Sequence, residues 1–137
     1  MLSDLGEVCA VDVRSIDQVE PLPMHQGTVP VWWLVQPREM KAQTMGGYLE
    51  LAAEFEVEGG GHVHPHSHHT HEYYYVLSGR GVMTIEGEDR DVVPGDFIYI
   101  PPDKVHSLRP ASEHAPIRCI VFAVGLADTP ELDYSVN

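Results

Sequence analysis

Six of the nine histidines in this chain crowd into ten residues: His62, His64, His66, His68, His69 and His71. In an extended chain His62, His64, His66 and His68 would share one face, each about 6.6 Å from the next at the usual strand rise. Two imidazoles at i and i+2 can converge on one metal ion, because the pleat aims both the same way. Glu72 opens the next, aromatic segment and adds a carboxylate oxygen within reach of the same ion. A lone H-x-H carries little weight. H-x-H followed by a strand-borne glutamate, set between the glycine turns Gly59-Gly60-Gly61 and Ser78-Gly79-Arg80-Gly81, is considerably stronger evidence of a metal site. Tyr74 and Val76 share the parity of Glu72, so an inward Glu72 brings both into the same cavity, where Tyr74 is expected to hydrogen-bond a substrate or to complete the wall.

The segments that must position these groups are short. From Tyr48 to Val57, Leu49, Leu51, Ala53, Phe55 and Val57 fall on one parity and Glu50, Glu54 and Glu56 on the other, which predicts a strand with one dry and one wet face. Glu72 to Leu77, Gly81 to Ile85, Asp96 to Ile100 and Ile117 to Val124 have the same apolar, β-prone character. Turn chemistry separates them: Glu86-Gly87-Glu88-Asp89, Pro94-Gly95-Asp96 and Pro101-Pro102-Asp103. Many short strands with regular turns predict an all-β sandwich or barrel. The first 47 residues are less orderly, with candidate strands at Val8 to Val13 and Val31 to Val35. Trp32 and Trp33 would put one indole on each face, one for the core and one for an edge or a second subunit.

Composition narrows the function. With 137 residues the chain suits one domain, and 43% hydrophobic with 21% charged residues is the balance of a globular protein. A formal net charge of −13 repels a polyphosphate backbone, so neither nucleic acid nor an acidic membrane is the expected partner. No apolar run reaches the roughly 18 residues needed to span a bilayer, and the acidic N-terminus lacks the basic region of a secretory signal. Cys9 and Cys119 are too few for a disulfide framework and read as small apolar side chains. These features together predict a cytoplasmic protein. Phosphate-loop, H-E-x-x-H and G-x-S-x-G patterns are all absent from the sequence.

Gly60-(x)5-His66-Ser67-His68-(x)3-Glu72-(x)6-Gly79 resembles the first motif of the cupin superfamily at every fixed position. The second motif is similar to Pro94-Gly95-Asp96-Phe97-Ile98-Tyr99-Ile100-Pro101-Pro102-Asp103-Lys104-Val105-His106. Two positions depart from it: Asp103-Lys104 stands where a glycine is usual, and Pro110 where an asparagine often follows the last histidine. The resemblance implies a double-stranded β-helix, or jelly-roll barrel, with its core at about residues 47–125 of a single domain over residues 1–137 and an irregular N-terminal extension. It also implies a metal held inside by His66, His68, Glu72 and His106. Three imidazoles and a carboxylate form a borderline set for Fe, Mn, Ni, Co or Zn, with two octahedral positions left for water, dioxygen or substrate. A register shift that recruits His64, His66 and His71 instead is the competing arrangement; His62, His64, His69 and His71 otherwise read as solvated or supporting, and His25 and His114 as surface groups.

The expected function is a small metal-dependent enzyme acting on a small oxygen-containing organic substrate, with a dioxygenase first and a metal-dependent lyase or isomerase second. Glu72 and Tyr74 are the candidate catalytic residues. A non-catalytic cupin that binds a small molecule is the rival from another class, and a homodimer built around the N-terminal tryptophans is the expected assembly.

Overall fold

A computed structural model describes residues 12–43 and 46–126. Ten strands follow in chain order: β1 (Leu22–Met24), β2 (Val29–Val35), β3 (Gly47–Val57), β4 (Val63–His66), β5 (His71–Ser78), β6 (Gly81–Ile85), β7 (Glu88–Val92), β8 (Phe97–Ile100), β9 (His106–Pro110) and β10 (Ile117–Leu126). They form two antiparallel sheets, ordered β1-β2-β3-β10-β5-β8 and β4-β9-β6-β7. Their inward side chains, among them Phe55, Val76, Met83, Ile100, Leu108, Ile117 and Val121, make one core between the sheets. This is the expected jelly roll. Among the described residues no helix is long and apolar enough to cross a membrane. Of the candidate strand at Val8 to Val13, residues 8–11 lie outside the described residues, and Asp12 and Val13 are not in a strand.

Two stretches differ from the reading of the sequence. The extension expected to be irregular contributes β1, which was not expected, as well as the candidate strand at Val31 to Val35, which forms most of β2; the two lengthen the larger sheet beside β3. In β3 the alternation holds from Leu51 to Val57 but not before it. Pairing with β10 slips between Ala123 and Val124, so that Ala123 faces Leu51 while Val124 faces Leu49. The extra residue, Glu50, is thereby turned inward, fully buried, where it accepts a hydrogen bond from the Tyr48 hydroxyl. A bulge re-aims every side chain beyond it, and no spacing within β3 marks where its partner slips.

The tight turns follow their residues. Glu86 and Gly87 join β6 to β7 with φ of 50° and 81°, the paired left-handed conformations of a two-residue hairpin turn. Asp103, at the position where the motif usually has glycine, takes φ 65°, a conformation that aspartate tolerates better than most side chains. Gly79 has φ 79°, and a Cβ there would collide with the Pro116 carbonyl oxygen. Gly79→Ala is therefore expected to lower stability by about 3 kcal/mol or more, through backbone strain plus the collision, as read from a shifted urea midpoint. An unchanged midpoint would contradict this account of the turn.

On the outer face Trp32 packs under Arg118, whose guanidinium carbon lies 4.2 Å from the indole centroid and whose Nε meets Glu54 at 2.9 Å. Strands β7 and β8 are edge strands, each paired on one side only, and a cleft of about 530 Å³ opens between them, floored by Met83, Ile85 and Ile98. Cys119 is fully buried in β10 at the middle of the larger sheet, between Phe55 of β3 and Val76 of β5.

Candidate metal centre

Four side chains from both sheets meet at one point. His66 ends β4 and His106 begins β9, and the two are register partners across that strand pair. His68 follows β4 by two residues, and Glu72 enters from β5 in the opposite sheet. Each offers one ligand atom, and those atoms all lie within 4.8 Å of one another. The competing set of His64, His66 and His71 does not form: the exposed His71 turns outward, its Nδ1 2.7 Å from the Tyr99 hydroxyl. Exposed His69 pairs with Asp103 at 3.0 Å, and His114 is exposed, as expected.

The rings are oriented for a cation. His66 Nδ1 lies 2.6 Å from the carbonyl oxygen of His64, and His106 Nδ1 lies 2.9 Å from that of Lys104. A carbonyl can only accept, so both imidazoles donate Nδ1–H to the residue two places back and keep the Nε2 lone pair for the centre. Glu72 Oε2 stands 3.1 Å from His68 Nε2, and Oε1 stands 3.3 Å from His106 Nε2. That His106 nitrogen is buried and makes no hydrogen bond despite this approach. A lone pair aimed at a carboxylate oxygen is repulsive unless a cation lies between them. The donor set thus fits a divalent transition ion.

The electrostatics agree. Burial alone would raise the Glu72 carboxyl; in the metal-free site a proton on the facing His106 or His68 ring nitrogen, standing where a cation would, holds it far below the usual carboxylate range. Burial, reinforced by the His106 imidazole, pushes His66 down to about 4, so it is neutral and able to ligate at pH 7. Tyr74 is 3% exposed, and burial followed by the Glu72 charge raises its phenol well above the ordinary value. Its hydroxyl therefore stays protonated and acts as a donor. Cys119 is pushed up to about 12 by burial and stays a thiol.

Beside the four donors lies a cavity of about 80 Å³ lined by Val31, Leu51, Phe55, Tyr74, Trp33 and His25 among others. The Phe55 and Tyr74 rings meet edge to face at 5.0 Å. One of these residues bears out the sequence reading and one corrects it. Trp33 packs against the core and lines the cavity while Trp32 faces out, so the pair splits between faces as expected. His25, expected at the surface, is 5% exposed and lies 5.5 Å from the His66 ring, centroid to centroid. No local pattern marks His25; only the folding of the β1–β2 hairpin over β4 brings it there. The larger cleft between β7 and β8 touches none of the four donors.

Comparison with known proteins agrees with this architecture. The chain is 51% identical over 35 residues to the uncharacterized protein MJ1618 of Methanocaldococcus jannaschii, a match covering 26% of this chain and 28% of that protein. A predicted oxalate decarboxylase from Thermotoga maritima superposes with a TM-score of 0.71 at 21% identity, covering 82% of this chain and 98% of that one. KdgF from a Halomonas species gives 0.62 at 16% identity, covering 82% and 94%. The polyketide cyclase RemF from Streptomyces resistomycificus gives 0.61 at 21%, covering 89% and 83%. At these identities the likeness is one of fold. The family model of the Cupin domain matches residues 53–123, more than half of the sequence and both histidine motifs with it, so the chain belongs to the cupin family.

Proposed function

We propose that this chain is a metal-dependent enzyme acting on a small oxygen-bearing organic molecule, and that its reaction is a dioxygenation. The observation that carries the reading is the convergence of His66, His68, Glu72 and His106 beside a small apolar cavity. A bound divalent transition ion would supply Lewis acidity and, if redox-active, the means of bringing dioxygen and substrate together. The chain's own groups do the rest. Val31, Leu51 and Phe55 keep water from the open side of the centre. The single carboxylate of Glu72 leaves a dication about one positive charge, which draws an anionic or enolisable oxygen substrate despite the acidic surface. Tyr74, protonated and facing the same cavity, donates a hydrogen bond to a substrate oxygen.

A second reading, a lyase or isomerase, is favoured by that same phenol. A donor held protonated beside a metal centre suits polarising a carbonyl and stabilising an enolate. A predicted oxalate decarboxylase and a polyketide cyclase among the similar folds lend it support. The two readings separate on an oxygen electrode. With the metal-loaded protein and a panel of diketones, phenols and hydroxy acids, dioxygenation consumes oxygen in step with substrate, whereas the second reading turns over in its absence. Turnover in neither condition would leave a binding protein. Tyr74→Phe is expected to cut kcat about 100-fold while metal content stays unchanged; an unaltered kcat would remove Tyr74 from the mechanism.

A further inference from the structure

We propose that His25 is a positioning residue for His66, acting through the backbone of His64; the inference rests on the metal-centre reading above. The strand that carries His66 is poorly tethered. Its register with β9 has only two pairs, Val63 with Leu108 and His66 with His106, and is irregular between them. Pro65, next to the ligand, has no N–H to give. The His64 backbone N–H is instead donated to His25 Nδ1 at 2.9 Å, across 39 residues of sequence. The carbonyl of the same His64 then receives Nδ1–H of His66 at 2.6 Å. His25 thus fixes the residue whose carbonyl sets the tautomer and ring plane of the ligand, the role outer partners play around metal centres.

The turn bearing His25 supports a purpose beyond packing. His25, Gln26 and Gly27 take φ of 50°, 61° and 83° in succession, and the first two lack glycine's freedom. Non-glycine residues persist in that region where surrounding contacts over-determine them. Here the carbonyl of His25 accepts from both the backbone N–H and the hydroxyl of Thr28, at 3.3 and 3.0 Å, while its side chain is buried against β4. A fifth-ligand role does not fit, because Nδ1 is occupied as an acceptor and His25 stands outside the group of converging ligand atoms.

Two variants separate the bond from the bulk. Asparagine can place its side-chain oxygen near the position of Nδ1 and keep the acceptor; leucine fills the space without one. In Co(II) titrations of the metal-free protein, His25→Leu is expected to weaken binding about 10- to 100-fold, and His25→Asn to recover most of that loss. Nitrogen-15 spectra of the histidine rings in metal-free protein, well above pH 6.5, should show His66 as the Nδ1–H tautomer in the wild type and His25→Asn, and as a mixture in His25→Leu. Equal weakening by both variants, or by neither, would overturn the proposal. A wild type that binds no Co(II) would instead sink the metal-centre reading. The ring spectra then decide His25 alone: an Nδ1–H His66 in His25→Leu as clean as in the wild type would overturn its role.

Discussion

His106→Ala is expected to abolish metal retention. Elemental analysis of the freshly purified wild type should find close to one divalent transition ion per chain, and the variant should hold almost none after the same purification. Removing one of four donors leaves a ligand set that the fold cannot replace, because His106 is fixed at both ends. Its backbone begins β9 in register with His66, and its Nδ1–H is committed to Lys104. Among the described residues no other group of three or more metal-ligating side chains converges in this way. The affinity loss should exceed the 10- to 100-fold typical of an outer partner. Glu72→Gln is the companion: nearly the same volume with no charge, so a cavity cannot explain its loss of metal. The Gln variant separates the two causes, since His106→Ala also empties a site that is 1% exposed. Retention of a full metal complement by both variants would refute the four-donor centre.

The metal-free protein should lose stability steeply as pH falls from about 6.5 toward 4. His25 and His66 are both held at about 4, each chiefly by burial, against 6.5 in the unfolded chain. In that window the unfolded chain binds protons that the folded one refuses, so stability present above 6.5 is lost on acidification. Each pKa unit is worth about 1.4 kcal/mol, giving about 3 kcal/mol for buried His25 and less for His66, which is partly exposed. Glu72 acts in the same direction at lower pH, because its folded value lies far below 4.5 and its contribution fades as acid overcomes it. Urea midpoints in chelator at pH 8 and at pH 4 measure the difference, and a flat profile across that range would contradict imidazoles held neutral at His25 and His66. Saturating metal should deepen the loss, because protons and the cation compete for His66.

What the sequence made legible was local. The i, i+2 spacing of His66 and His68, the glutamate four residues on and the parity linking Glu72 with Tyr74 are all short-range facts, and the structure brings these groups together as expected. The strands expected at Gly81 to Ile85 and Ile117 to Val124 were equally plain, the second running on to Leu126 in the structure. The misses depend on distant partners. Glu50 is buried because β10 slips against β3, and His25 because a hairpin folds over a strand 39 residues away. Strand β7 was unreadable for another reason. Glu88, Asp89, Arg90 and Asp91 are all exposed, as suits a rim strand whose charges discourage a foreign strand from docking.

Cys119 sits where the larger sheet is most securely held, its thiol shut in by strands on either side and unable to ionise at neutral pH. A thiol-specific reagent in the surrounding solvent can reach it only when β10 parts from its neighbours. With Cys9 replaced by serine, the pace of labelling becomes a clock for the rare excursions in which the whole barrel comes apart.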